Sequence, residues 1–163
     1  MTGYHHGMRK LALALVVIVS MHTAADAESI GIGIFVGEPL GLDLKIDLRR
    51  RSSIDVVIGA TTVNDNRESY GHVTYLYTLH TGRGQSVRIP LRLGLGGAVS
   101  GVTEENGTRF AARVPFELGL RFRRSPLEIY GEVAFVLQLL NTNDNAENVD
   151  TDIDGGIGLR VYF

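Results

Sequence analysis

Apolar and polar side chains alternate along almost the whole chain after residue 27. In the segment 40–48, LGLDLKIDL, every second residue is Leu or Ile, and the residues between them are Gly, Asp or Lys. Successive side chains of a β-strand point to opposite faces, so this spacing predicts a strand with one apolar face and one polar face. An amphipathic helix needs apolar residues three and four positions apart, and the chain does not show that spacing.

Seven more segments repeat this alternation. Clusters of Gly, Pro, Asn, Ser and charged residues separate the segments, as turns do. Short strands that follow one another in this way predict an all-β fold, an eight-stranded antiparallel up-and-down barrel. The eight predicted strands lie near residues 31–36, 40–48, 54–60, 72–80, 87–96, 110–122, 127–139 and 153–163.

Alternation alone leaves open which face of the barrel wall is inside. A soluble, lipocalin-like periplasmic binding barrel turns its apolar face inward, whereas a transmembrane barrel turns that face outward to lipid. The polar face is rich in Gly, and the apolar face is uniformly bulky. Because an eight-stranded barrel has an interior only wide enough for side chains to fill, small residues fit inside it and large apolar residues fit outside it.

Two further features favour the transmembrane barrel. Phe110 and Phe122 lie on the apolar face of one strand, separated by roughly 28 Å along the membrane normal at a tilt of ~45°, which matches two interfacial aromatic girdles. The connections after the second, fourth and sixth strands (RRRSS, TGRGQS and RRSP) are short and basic, whereas most of the others are longer and acidic. Short periplasmic turns and longer outer loops are typical of membrane barrels.

The first 27 residues have a different character. Two basic residues precede an apolar run of 11 residues at 11–21, which is too short to cross a bilayer as a helix. An A-x-A cleavage sequence follows at 25–27. This order predicts a cleaved secretory signal peptide over 1–27 and an outer-membrane β-barrel domain over 28–163. An uncleaved membrane anchor is the alternative, and Met8 offers a second possible start.

The last strand, GGIGLRVYF, ends in an aromatic residue that is preceded by apolar residues at alternate positions. It resembles the terminal strand of bacterial outer-membrane barrels, although Val161 stands where that family often has Tyr. The whole of 28–163 resembles small eight-stranded barrels of the OmpA/OmpX transmembrane type. This resemblance implies a monomer in the bacterial outer membrane, surrounded by lipid and lipopolysaccharide. It also implies an assembly signal that the barrel-assembly machinery reads, formed by Phe163, Val161, Leu159 and Ile157.

Charges on the polar face are nearly balanced, with seven acids and six bases. Buried charges need partners, and eight strands leave little free bore, so we expect ion pairs to plug the lumen. Hairpin register suggests two of these pairs, Arg121 with Glu128 and Glu132 with Arg160. A narrow ion or small-solute pore is the alternative. The predicted lumen charge network consists of Asp43, Lys45, Asp47, Asp55, Arg88, Arg92, Arg113, Glu117, Arg121, Glu128, Glu132, Asp154 and Arg160.

The composition argues against several classes of function. The chain has 16 basic and 18 acidic residues, which argues against a nucleic-acid partner, and it has no Cys for a thiolate metal site or nucleophile. His72 and His80 are the only histidines after residue 27, and no Ser-His-Asp constellation accompanies them. We therefore expect no enzyme, metal or cofactor, but a structural or surface-interaction role. A lipid A-modifying enzyme is the least favoured alternative.

Overall fold

The structure is a computed structural model that describes residues 29–63, 66–102, 107–141 and 150–163. It confirms the predicted fold class, an all-β barrel of eight antiparallel strands in up-and-down order. The predicted signal peptide, 1–27, lies outside the described residues. The strands are β1 (Ile30–Glu38), β2 (Leu40–Arg49), β3 (Ser52–Val63), β4 (Asn66–Arg83), β5 (Val87–Ser100), β6 (Arg109–Phe122), β7 (Leu127–Asn141) and β8 (Asp150–Tyr162).

The barrel closes between its first and last strands. Gly31 of β1 lies opposite Tyr162 of β8, and the antiparallel register continues through eight residue pairs. Just beyond this seam, the Phe163 N–H donates to the Ile30 carbonyl oxygen at 2.8 Å. Every strand is paired on both sides, so the wall has no open edge and its backbone groups are hydrogen-bonded within it.

The two ends of the barrel carry different connections. The terminal end holds Ser29, Phe163 and the turns that follow β2, β4 and β6, which are two, three and four residues long. The loop end holds the other four connections. Those after β5 and β7 have eight residues each, but those after β1 and β3 have only one and two. The expectation of longer connections at this end therefore holds for two of the four.

The connection after β3 is short because β4 is longer than predicted. The apolar alternation begins at residue 72, whereas β4 begins at Asn66 and pairs with β3 as far as Val63. Glu68 and Tyr70 are buried inside the barrel in this added portion. Polar residues continue the strand because the backbone ladder with β3 continues and because the inner face of the wall is itself polar.

Apolar side chains cover the outside of the barrel, and polar side chains fill its inside. On β6, the outward residues Phe116 and Leu118 are 46% and 49% exposed, whereas the inward residues Arg113 and Glu117 are fully buried. The other strands alternate in the same sense. The described residues include no helix long and apolar enough to cross a membrane. The barrel thus reverses the usual distribution of apolar and charged residues in a water-soluble domain.

Inward glycines make room for two tyrosine rings near the terminal end. A Cβ atom on Gly158 would collide with the ring of Tyr130, and one on Gly31 would lie 3.0 Å from Cε1 of Tyr162. Both tyrosines are buried, and both hydroxyl groups donate to buried carboxylates. The small residues on the polar face therefore permit larger polar side chains from neighbouring strands to cross the lumen.

Candidate functional site: the barrel lumen

The lumen contains most of the charged side chains that the alternation placed on the polar face. Nine of the thirteen predicted residues are at most 5% exposed. Asp47 and Arg121 are partly buried towards the terminal end, where Arg88 is exposed, and Asp154 is partly buried towards the loop end. The nine buried residues are Asp43, Lys45, Asp55, Arg92, Arg113, Glu117, Glu128, Glu132 and Arg160.

Arg160 is at the centre of this network. Its Nε donates to Asp43 Oδ2 at 2.6 Å, its Nη2 to Asp55 Oδ1 at 2.6 Å and its Nη1 to Glu117 Oε2 at 2.8 Å. The guanidinium also lies 3.6 Å from the ring centroid of Tyr130, whose hydroxyl donates to Asp43 at 2.5 Å. A single planar side chain therefore connects three carboxylates from β2, β3 and β6 through charge-assisted hydrogen bonds.

Arg92 forms a second group on the terminal side of this centre. Its Nη1 donates to Glu117 and, at 2.6 Å, to Glu128 Oε1. The Tyr162 hydroxyl donates to the other carboxylate oxygen of Glu128. Glu117 joins the two groups, because one of its oxygens accepts from Arg92 and the other from Arg160.

Arg113 forms the third group, on the loop side. Its Nη2 donates to Glu132 Oε1 at 2.7 Å, and its Nη1 to Thr74 Oγ1 at 3.3 Å. Arg113 Nη1 is also 2.9 Å from His72 Nε2. A guanidinium can only donate, so His72 Nε2 accepts and the imidazole proton lies on Nδ1, which is 3.2 Å from the Tyr70 hydroxyl oxygen. His72 is thus a hydrogen-bonded member of the lumen.

The register predicted for β6 and β7 is confirmed, because Arg121 lies opposite Glu128. The contacts of Arg121 nevertheless extend to other strands. Its Nη1 lies 3.4 Å from Asp47 Oδ2 on β2, and its guanidinium lies 3.7 Å from the ring centroid of Tyr162 on β8. Long side chains therefore reach across the narrow lumen, beyond their neighbours in the sheet.

The second predicted pair is wrong. Glu132 lies opposite Gly156, and Arg160 lies opposite Glu128, so the register between β7 and β8 differs by four residues from the one expected. That expectation assumed a loop centred on Ala146, within a connection that lies outside the described residues. A short turn restricts the register of its hairpin, whereas a connection of eight residues leaves several registers possible.

The predicted network omitted a bidentate ion pair near the loop end. Arg109 Nη1 and Nη2 donate to the two carboxylate oxygens of Glu68 at 2.8 and 2.9 Å. Glu68 fell in a segment interpreted as a turn and Arg109 just before the predicted strand 110–122, because the apolar alternation does not reach them. Continuing the period-two spacing backwards from His72 would have placed Glu68 on the inner face.

The lumen provides hydrogen bonds and ion pairs but not the usual arrangement for catalysis. The His72 ring lies next to Arg113, the Tyr70 hydroxyl group and Asp55, whose Oδ2 is 3.5 Å from Nε2, and no serine hydroxyl is hydrogen-bonded to the ring among the described residues. Across the same residues, no three His, Cys, Asp or Glu side chains are grouped so as to hold a metal ion. The arrangement is suited to filling and crosslinking the barrel interior.

Comparison with known proteins does not identify a family. No family model, curated protein or solved structure matches the chain.

Proposed function

We propose that the chain is an integral outer-membrane β-barrel protein of a Gram-negative-type bacterium, with a structural or surface-interaction role and a lumen plugged by charged side chains. The observation that carries this proposal is the outer surface of the barrel. Among the described residues, thirty-two large apolar side chains are between 36% and 69% exposed, whereas ten Asp, Glu, Lys and Arg residues are buried. Water would penalise such a surface, but the hydrocarbon of a bilayer would cover it.

The same observation disfavours a soluble binding barrel as the function. A lipocalin-like protein would hold its apolar residues around an internal ligand cavity. Here the main buried apolar cluster consists of Phe35, Val57 and Tyr130, and the adjoining lumen contains ion pairs. A closed wall without sheet edges also meets the requirement that every backbone polar group be paired in hydrocarbon.

Export and assembly complete the proposal. A signal peptide over 1–27 would direct the chain across the inner membrane, and the terminal strand would be recognised by the barrel-assembly machinery. Phe163, Val161, Leu159 and Ile157 lie on the outer face of β8 or at its end, with exposures from 36% to 64%. They are thus accessible on the surface that the proposal assigns to lipid, where lipopolysaccharide would surround the outer half of the barrel.

Cell fractionation tests the membrane location. The protein should be recovered with outer membranes after expression in a Gram-negative host, and it should resist extraction by high salt and carbonate. The folded barrel should also migrate differently from the heat-denatured chain on a gel. Recovery of a folded barrel in the soluble periplasmic fraction would contradict the proposal.

Planar-bilayer recording separates a plugged lumen from a narrow pore. The ion pairs around Arg92 and Arg160 predict little or no steady conductance from the purified protein. Reproducible channels whose charge selectivity changes in Arg92→Ala would favour the pore instead.

A catalytic role has less support, because His72 is occupied by hydrogen bonds within the lumen. We expect the lipid A mass spectrum of the host to be the same with wild-type protein and with His72→Ala. A mass shift that depends on His72 would identify a lipid A-modifying enzyme.

A further inference from the structure

The terminal end of the barrel opens into a cavity of about 200 Å³. We call this cavity the vestibule. Arg92, Ser53 and Pro90 are the buried residues of its wall. The remaining lining residues are charged or bear hydroxyl groups, and they come from β2, β3, β4, β5, β6 and the turn after β2. They are Asp47, Arg49, Arg50, Arg51, Ser52, Thr78, Thr81, Arg88 and Arg121.

The lining is strongly unbalanced in charge, with six arginines and one carboxylate. The carboxylate, Asp47, already lies 3.4 Å from Arg121 and 3.8 Å from Lys45. The charge of Arg92 is already paired with two buried glutamates, Glu117 and Glu128. Among the described residues, no carboxylate pairs with Arg88 or with the three arginines at 49–51. Four exposed arginines therefore line one small space without a carboxylate partner of their own.

A second observation points to the same location. Lys45 lies two residues before Asp47 on the inner face of β2 and is fully buried. Its Nζ has no hydrogen-bond acceptor among the described residues. Its contact with Asp47 is its closest ion pair there. Buried ammonium groups normally have hydrogen-bonding partners, so Lys45 adds one incompletely paired positive charge next to the single carboxylate of the vestibule.

We infer that the vestibule is a binding site for a phosphate group. Guanidinium groups present paired N–H donors that match phosphate oxygens, and the hydroxyl groups of Ser52, Thr78 and Thr81 add further donors. The volume limits the ligand, because sites for drug-sized molecules usually measure roughly 300–1,000 Å³. A cavity of about 200 Å³ suits one phosphate or a compact phosphorylated headgroup. The source is either a soluble phosphate compound or the headgroup of an anionic phospholipid.

Calorimetric titration of the full chain in a non-ionic detergent tests this site. The two probes are pyrophosphate, as the soluble source, and short-chain phosphatidylglycerol, with phosphatidylcholine as the zwitterionic reference. Saturable binding of pyrophosphate identifies a soluble ligand. Binding of phosphatidylglycerol alone identifies a headgroup, and either result supports the site. The absence of binding by both probes, or equal binding of chloride, overturns it.

Two double variants decide whether the vestibule itself binds. Arg51→Gln with Arg88→Gln removes two charges from the lining and should weaken binding at least about tenfold. Arg123→Gln with Arg124→Gln removes the same charge from the turn after β6, outside the lining, and should change affinity by less than about twofold. Equal weakening by both would show diffuse attraction to a basic surface and would overturn the inference.

A charge-conserving variant is the control for an effect of lost charge on folding. Arg51→Lys with Arg88→Lys keeps both charges but loses the paired donors, so it should bind with intermediate affinity. Gel mobility before and after heating shows whether each variant has folded. Wild-type affinity in the lysine variant would overturn recognition by guanidinium groups. The membrane location does not enter these measurements, so this inference and the proposed function fail independently.

Discussion

The inner and outer surfaces of the barrel wall are built from the same eight strands, yet they depend on the sequence in different ways. Outside, the proposed membrane location would make apolar side chains interchangeable within broad limits, because lipid or detergent would pack against any of them. Inside, most buried charges depend on particular partners from other strands, as Arg160 does on Asp43, Asp55 and Glu117. The outer surface therefore requires only a class of residue at alternate positions, whereas the inner surface requires specific residues.

Arg160→Leu, on the inner surface, should have the largest effect on the free energy of unfolding. The substitution leaves three buried carboxylates without their common partner, which should lower the free energy of unfolding by about 3–5 kcal/mol. Urea unfolding in detergent micelles, followed by circular dichroism, measures the change. Arg160→Lys is the matched control and should lose less, because it keeps the charge but not the planar fork. A loss below about 1 kcal/mol for Arg160→Leu would contradict the central role of this residue.

An arginine placed on the outer surface should destabilise the protein more in the middle of the wall than near its end. Ile157 is 64% exposed in the middle of the wall, and Leu48 is 50% exposed near the terminal end. In lipid vesicles, Ile157→Arg should destabilise the protein by about 2–4 kcal/mol and Leu48→Arg by about 0–1 kcal/mol. Folding titrations in vesicles measure both variants. Equal, small effects would be the result for a surface that faces water.

Deleting Phe163 should separate assembly from stability. The deletion removes one exposed side chain and two backbone hydrogen bonds with Ile30, so unfolding in detergent should change by about 1 kcal/mol. In cells the protein should accumulate in the periplasm or be degraded, because the proposed assembly signal has lost its terminal aromatic residue. Quantitative blots of outer membranes give the comparison, with Phe163→Tyr as the aromatic control. Normal levels of the deletion variant would contradict this role for the terminal residue.

The smallest effect should come from an exposed contact at the loop end. Glu38 accepts hydrogen bonds from Thr61 Oγ1 at 2.8 Å and from the Thr62 backbone N–H at 2.9 Å. Partial burial raises the pKa of Glu38, but these hydrogen bonds outweigh it and leave the pKa below its usual value. Glu38→Gln should destabilise the barrel by only about 0.5 kcal/mol at neutral pH.

The difference in stability between wild type and Glu38→Gln should also depend on pH in a defined direction. A lowered pKa in the folded state stabilises the protein above the ordinary glutamate pKa, and the contribution is lost as pH falls through the folded value. The stabilities of wild type and Glu38→Gln should therefore converge in acid. A difference that grows as the pH falls would mean that Glu38 stabilises the barrel in its protonated form.

The existence of the strands could be predicted wherever apolar residues marked the outer face. The predicted segment 110–122 nearly coincides with β6, because its apolar positions continue from Phe110 to Phe122. The prediction failed for the beginning of β4, where the outward residues are not apolar and only pairing with β3 defines the strand. Apolar spacing therefore locates the middle of a strand better than a polar end.

The buried charges could likewise be predicted as a set, but most of their pairings could not. The turn after β6 is short enough to give the register of Arg121 opposite Glu128, whereas the connection after β7 is too long to give that of Glu132. Arg49, Arg50 and Arg51 were recognised as a basic turn, but their convergence with Arg88 around one cavity was not foreseen.

The sequence by itself determined the period-two alternation, and with it the strands and the two faces of the wall. These are local properties, since each side chain points away from its neighbours in the chain. Only the tertiary structure decided which charges meet. Asp43 and Arg160 are 117 residues apart in sequence and 2.6 Å apart in the lumen. Closure of β8 onto β1 and the register of every hairpin between them produce that contact, and no local pattern encodes their combined geometry.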